Sequence, residues 1–165
     1  MMNIASMFLH QSVLITGGLG FIGSNLAHKL LGLGAHVTIV DNLDPDSGGN
    51  SYSVEDIKDH LEIIRADIND EGQMKHAVKG KKYLFNLAGQ MSHLGSMQDP
   101  FKDLNVDTIG QLKLLEVCRQ NNPEIGIVFA GTRQVYGRPK YLPVDENHLL
   151  TPLDNNGVSK RAGEM

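Results

Sequence analysis

The stretch Thr16-Gly17-Gly18-Leu19-Gly20-Phe21-Ile22-Gly23 joins an apolar run, Ser12-Val13-Leu14-Ile15, to a helical pattern, Ser24-Asn25-Leu26-Ala27-His28-Lys29-Leu30-Leu31. A strand that closes in glycines and opens a helix is a cradle for a dinucleotide phosphate. Gly17 suits a tight turn, Gly20 a close approach of backbone to pyrophosphate, and Gly23 close packing of helix on strand, with the pyrophosphate on the helix N-terminus. The next apolar run, Ala35-His36-Val37-Thr38-Ile39-Val40, ends at Asp41, 18 positions beyond Gly23. A carboxylate there accepts from the adenosine ribose hydroxyls and repels a 2′-phosphate, so the pattern favours NAD over NADP as cofactor.

Outward from this motif, strand-like runs recur at 12–16, 35–40, 61–66, 82–88 and 125–131. Helical patterns fall between them at about 21–33, 53–60, 70–79 and 101–121. Alternation of this kind predicts an α/β fold, a Rossmann-type doubly wound parallel sheet. Runs such as Ile125-Gly126-Ile127-Val128-Phe129-Ala130 are apolar at consecutive positions, as helices on both faces of a sheet require. The segment Asp44-Pro45-Asp46-Ser47-Gly48-Gly49-Asn50-Ser51 is dense in turn formers and reads as a loop after the second strand. Ligands of such sheets sit at the carboxyl ends of the strands. Asp67-Ile68 after the third strand is expected to hold the adenine, and Leu87-Ala88-Gly89 after the fourth to let a cofactor pass close to the backbone. Asn105 is expected to bind locally from a helix.

With 165 residues, 41% of them apolar, and no low-complexity linker, the chain reads as one dinucleotide-binding domain over 12–165 behind a loose extension at 1–11. The balance of 15 basic against 19 acidic residues, with no basic run, leaves no electrostatic footprint for nucleic acid. No apolar stretch reaches the ~18 residues of a membrane span, and the first ten residues lack a charged leader, so a cytoplasmic location is expected. The single cysteine, Cys118, lies among apolar neighbours in a helical pattern and is expected to be a buried structural thiol.

Together Thr16 to Gly23, Asp41-Asn42, Asp67-Ile68, Asn86-Leu87-Ala88-Gly89-Gln90, Asn105-Val106 and Thr132-Arg133-Gln134-Val135-Tyr136-Gly137 resemble the extended short-chain dehydrogenase/reductase superfamily, specifically its NAD-dependent sugar-nucleotide epimerases and dehydratases. The resemblance implies that Gly17, Gly20, Phe21 and Ile22 contact the pyrophosphate, with Gly23 a further cofactor-binding residue of the same loop. By the same resemblance Asp41 and Asn42 hold the adenosine ribose, Asp67 and Ile68 the adenine, and Leu87, Ala88, Gly89 and Asn105 the remainder of the cofactor. It further implies transient oxidation of a sugar carbinol, with a nucleotide sugar as substrate and a homodimer as a possible assembly. In that chemistry Thr132 matches the hydroxyl that orients the reacting oxygen. Lys160, in Asn156-Gly157-Val158-Ser159-Lys160, matches the lysine that holds the nicotinamide ribose. The catalytic tyrosine position is occupied by Asn156. An amide neither ionises near neutral pH nor donates a proton as a phenol does.

Three readings of Asn156 stay open: another base works with Lys160, the site binds without turnover, or catalysis is lost. His93 and Tyr136 are the titratable alternatives. The Tyr136-Gly137-Arg138-Pro139-Lys140 stretch imitates the tyrosine-lysine spacing, but Gly137 and Pro139 break any helix that would align the two. Where resembling dehydratases carry an Asp-Glu pair after the threonine, this chain has Arg133-Gln134, which favours epimerisation over elimination. Resembling proteins are roughly twice as long, so a C-terminal substrate subdomain is expected to be missing from this chain. The leading expectation is an NAD-dependent sugar-nucleotide epimerase. Its alternatives are a non-catalytic dinucleotide-binding module and a dehydratase or oxidoreductase of the same superfamily.

Overall fold

A computed structural model of the chain describes residues 4–165, and the side chains from residue 6 onward. The first three residues of the expected N-terminal extension therefore lie outside the described residues. In chain order the elements are α1 (Ile4–Phe8), β1 (Ser12–Thr16), α2 (Phe21–Gly32), β2 (His36–Asp41), β3 (Leu61–Arg65), α3 (Glu71–Ala77), β4 (Tyr83–Asn86), α4 (His93–Gln98), α5 (Pro100–Leu104), a π-helical segment Asn105–Gly110, α6 (Gln111–Asn121), β5 (Gly126–Phe129) and α7 (Asn155–Glu164). Short 3-10 turns occupy Ser51–Val54, Lys58–His60 and Arg133–Tyr136. The chain divides into two compact units, one made of 1–88 with 113–130, the other of 89–112 with 131–165.

In the first unit the five strands form one sheet in the order β3-β2-β1-β4-β5, and every neighbouring pair is parallel. Parallel neighbours demand crossovers, and the order reverses beside β1, where the first crossover runs through the glycine loop and α2. The sheet's two faces follow from the two-residue period of a strand. Val13, Ile15, Val37 and Ile39 point one way and form a buried cluster with Leu19, Ala27, Leu30, Ala35 and Val54. Leu14, Val40 and Leu84 alternate with them and are buried as well. The buried Met74, Ala77, Val78, Leu114, Val117 and Cys118 lie on or beside α3 and α6. Asn122 at the end of α6 donates to the Val78 and Lys81 carbonyls, which ties those two helices together. Cys118 is a free, buried thiol that burial pushes up to about 11.

The predicted helix at 53–60 is instead two short 3-10 turns. Asn50 caps the first by accepting from Tyr52 N, and Val54 is its buried residue, while Lys58–His60 bury none. Ser, Asn and Asp side chains offer local hydrogen bonds that compete with a regular helix, and one buried residue per turn gives no stripe to pack. Residues 4–8 are helical, and the Phe8 ring packs edge-on against Tyr83 with centroids 5.4 Å apart.

The second unit is helical. Asp99 caps α5 by accepting from Lys102 N, and Pro100 stands at its first turn, where a missing N–H costs nothing. Asp154 caps α7 by accepting from Gly157 N at 2.7 Å. Ser92 caps α4 through Gly95 N at 2.8 Å, a start signal hidden in the sequence by Gly95 in the middle of the helix. The 137–140 stretch is not helical: Gly137 takes φ 65 after the 3-10 turn, and the Lys140 N–H donates to His148 Nε2. Tyr136 and Lys140 accordingly share no helix face.

Candidate functional site

Two clusters carry the chemistry, one in each unit. In the first, Gly17 sits at φ 66, a left-handed conformation that glycine adopts without strain, and its N–H donates to the Val40 carbonyl at 2.8 Å. A Cβ at Gly17 would stand 2.9 Å from Ala88 N, and one at Gly23 would stand 2.6 Å from Gly18 Cα. The loop thus closes on β4 at one end and on itself at the other. Gly20 is the N-cap of α2 and provides no side chain to its first turn. The free N–H groups of that turn are a ready anion site. Phe21 and Ile22, the first residues of α2, are exposed.

Asp41 ends β2 with both carboxylate oxygens engaged: Oδ2 accepts from Leu19 N at 3.0 Å and Oδ1 from Leu43 N at 2.9 Å. The carboxylate therefore holds the glycine loop in place from the neighbouring strand. Asn42, exposed, donates to Asp67 Oδ2 at 2.8 Å, joining two residues expected on the adenosine. Burial works to raise the Asp67 carboxyl, but hydrogen bonds from Asn69 and Asn42 outweigh it and hold Asp67 below its ordinary value. Ile68 beside it is buried. Thr16 fixes the exit of β4, because its hydroxyl donates to Asn86 Oδ1 at 2.8 Å and accepts from Ala88 N at 3.3 Å. Leu87 and Ala88 are half-buried there.

In the second unit, Asn156 and Lys160 lie one turn apart on α7 and are both buried, at 3% and 7% exposure. Asp103 and Asp107 have the same four-residue spacing and are buried likewise, at 1% and 0%. Lys160 Nζ reaches Asp107 Oδ1 at 3.1 Å. Asn156 Nδ2 donates to the Gln90 carbonyl at 3.0 Å, to Asp103 Oδ2 at 3.1 Å and to Asp107 Oδ2 at 3.5 Å. Gln90 N donates to Asp107 Oδ1 at 3.2 Å. Burial pushes the Asp107 carboxyl up to about 6, against the attraction of Lys160 and with the repulsion of Asp103. A Cβ at Gly89 would press on Lys160 Nζ and stand 2.6 Å from Asp107 Oδ1, so the lysine-carboxylate pair lies flat against the Gly89 backbone. The side chain at position 156 is thereby a clasp between two carboxylates, and the amide supplies the two N–H donors that a phenol lacks.

Thr132 is half-buried and caps the 3-10 turn, accepting from Gln134 N at 3.4 Å. Its hydroxyl lies 3.3 Å from Gln134 Oε1, and Gln134 Nε2 lies 3.2 Å from His93 Nδ1. The same imidazole nitrogen is 2.9 Å from Asp154 Oδ2. Asn105 is exposed on the π-helical segment and apart from the buried group formed by its neighbours two positions either side. Asp103 and Asp107 are the residues that sequence reading passed over. Their signal was the four-residue spacing of two acids, readable only once Asn156 and Lys160, at the same spacing, were known to face them. Among the described residues no group of three or more His, Cys, Asp or Glu could hold a metal ion. No helix there is long and apolar enough to cross a membrane.

Known proteins resemble this chain in sequence and in fold. A putative UDP-glucose 4-epimerase of Methanocaldococcus jannaschii is 37% identical over 154 residues, which are 92% of this chain and 48% of the relative. Among solved structures, an epimerase of Methanothermobacter thermautotrophicus superposes with TM-score 0.88 at 31% identity, over 97% of this chain and 47% of that one. The UDP-glucose 4-epimerase of Thermus thermophilus, in complex with NAD, gives 0.82 at 32% identity, over 93% and 49%. The chain spans about half the length of the relatives it matches. The model of the GDP-mannose 4,6 dehydratase family matches residues 14–165, from β1 to the end of α7, and the chain belongs to that family.

Proposed function

We propose that this chain carries the cofactor-binding part of an NAD-dependent sugar-nucleotide epimerase. The first unit binds the dinucleotide, and the second provides the groups that handle the sugar hydroxyl. The observation that carries the reading is the joint closure of the glycine loop: Gly17 in a left-handed turn against Ala88, an uncapped α2 N-terminus, and Asp41 holding Leu19 N from the end of β2. This is a cradle whose closure leaves no room for a Cβ at Gly17 or Gly23, with a carboxylate on its adenosine side. NAD, when bound, supplies a hydride acceptor and donor. The chain's own part is to hold the pyrophosphate on Gly20, Phe21, Ile22 and Gly23, the ribose on Asp41 and Asn42, and the adenine on Asp67 and Ile68. Leu87, Ala88, Gly89, Asn105 and Lys160 serve the nicotinamide side, and Thr132 orients the reacting hydroxyl.

The nucleotide-sugar substrate rests on relatives named as UDP-glucose 4-epimerases. Exposed Arg133 and half-buried Gln134 stand where elimination would need two carboxyl groups, which favours epimerisation over dehydration. A cytoplasmic setting and a homodimer belong to the same proposal, the latter supported by the exposed Leu94, Met97, Phe101 and Leu112 of the second unit. A second reading, a dinucleotide-binding module without turnover, is favoured by one observation: Asn156 is buried between carboxylates and cannot ionise.

Calorimetric titration of the chain with NAD and with NADP tests the proposal. Saturable NAD binding, at least ten times tighter than NADP, is expected. Asp41→Asn should narrow that preference about tenfold, the size of one charge-assisted hydrogen bond. Equal affinity for the two dinucleotides would remove Asp41 from the adenosine site, and no binding of either would end the reading.

A further inference from the structure

Oxidation of a carbinol removes two things from it, a hydride from carbon and a proton from oxygen, and a chain that carries it out needs a group that takes the proton. Asn156 cannot. Asp107 is fully buried and committed to Lys160, Asn156 and Gln90 N. Of the two histidines in that unit, His148 is buried at 3% and has both ring nitrogens engaged with backbone, Nε2 accepting from Lys140 N at 2.9 Å and Nδ1 donating to the Leu149 carbonyl at 2.8 Å. It is a structural residue in a fixed tautomer. His93 differs on every count. Its side chain is 55% exposed, and one nitrogen, Nδ1, meets the Asp154 carboxylate at 2.9 Å while the other has no partner among the described residues.

Resting on the function proposed above, we infer that His93 is the acid-base residue of this chain, with Asp154 as its positioning residue. A carboxylate at Nδ1 keeps the proton on that nitrogen, because a charge-assisted bond to Asp154 outweighs the neutral contact with Gln134. Nε2 is then the lone-pair nitrogen. NAD, when bound, would supply the hydride acceptor and donor, and the part of His93 would be the proton: the carbinol O–H breaks as an N–H forms on Nε2, and the reverse step returns that proton to oxygen. An imidazole with one nitrogen protonated and the other bare can take a proton and give it back, which suits both directions. Gln134 stands between His93 and Thr132, its Oε1 3.3 Å from the Thr132 hydroxyl and its Nε2 in contact with the ring, so the base and the hydroxyl that orients the reacting oxygen flank one side chain. Asp154 holds His93 to α7, whose N-cap it is.

The test has a spectroscopic and a kinetic arm, on the full chain. Nitrogen NMR of the ring should show His93 with its proton on Nδ1, and Asp154→Asn, which keeps a good cap for α7, should mix the two tautomers. With NAD and UDP-glucose as the probe, His93→Ala should lower turnover by about a hundredfold or more, and added imidazole should restore part of the rate. Asp154→Asn should lower it by a smaller factor. A wild-type ring protonated on Nε2, a His93→Ala chain that turns over undiminished, or a wild-type chain that binds NAD without turnover would each overturn the assignment. Absence of NAD binding would instead overturn the proposed function, so the two failures are told apart by the calorimetry.

Discussion

Gly23→Val is expected to abolish dinucleotide binding and to destabilise the first unit by about 2–3 kcal/mol, the usual cost of forcing atoms into a filled space. The reason is geometric. A Cβ at that position meets the Gly17 carbonyl and stands 2.6 Å from Gly18 Cα, both of them backbone, so no side-chain rotation relieves the clash. The loop would have to open, and the opening would move Gly20 and the first turn of α2 away from any pyrophosphate. Gly32→Ala is the matched control, because a Cβ at Gly32, in the last turn of α2, meets nothing within 4 Å. That change should leave binding intact and stabilise the chain by roughly 0.5–1 kcal/mol. Urea midpoints and NAD calorimetry of the two variants decide the matter. If Gly23→Val keeps both its midpoint and its affinity, close packing at Gly23 is not what shapes the cradle.

The second large effect concerns the buried acids. Asp107 titrates at about 6 in the folded chain against an ordinary 3.8, chiefly because it is buried. Between those values the folded chain holds a proton that the unfolded chain has released. This contribution to stability is therefore greatest below about pH 4 and falls as the pH rises to about 6, by an amount approaching 3 kcal/mol. Asp67 works in the opposite sense, since its lowered carboxyl favours the folded state above the ordinary carboxylate range and withdraws that support in acid. Asn156→Asp should sharpen the first effect: it replaces the donor between Asp103 and Asp107 by a third carboxylate. The expected result is a loss of a further 2 kcal/mol or more at pH 7 that shrinks on acidification, read from urea midpoints at pH 5 and pH 7. A midpoint that does not depend on pH in either chain would show that Asp107 is not the charged, buried group described.

The fold was legible because parallel sheets write themselves in consecutive apolar residues. Val13 to Ile15 and Val37 to Val40 are buried on both faces, and their hydrophobic runs carry no competing pattern. The cradle was legible for a related reason, since Gly17 and Gly23 are required by backbone positions that sequence spacing alone can fix. What escaped was contact between distant segments. Thr16 reads as the end of a strand, yet its hydroxyl pins Asn86 and Ala88 seventy residues on. Asp103 and Asp107 carried no expectation from the sequence, and only burial against Asn156 and Lys160 gives them meaning. Asn105, two positions from each of these acids, is exposed where they are buried, because a shift of two positions on a helix changes the face entirely. The helix expected at 53–60 failed on the opposite ground: its polar residues make local bonds whose preference over a regular turn no period reveals.

The π-helical segment Asn105–Gly110 has one more consequence, which concerns insertions and deletions. A π turn holds one residue more than an α turn, so the segment is the footprint of a single extra residue. Ile109 within it is 42% exposed and adds little to any core. Excising it would let the backbone close into α-helix with the flanking helix still in register, because the wide turn already absorbs the extra residue. Asp103 and Gln111 would keep their faces, and only the residues inside the segment, Asp107 among them, would shift. A change of length by one residue would be met locally, and its cost would fall on the one member of the clasp that the wide turn carries.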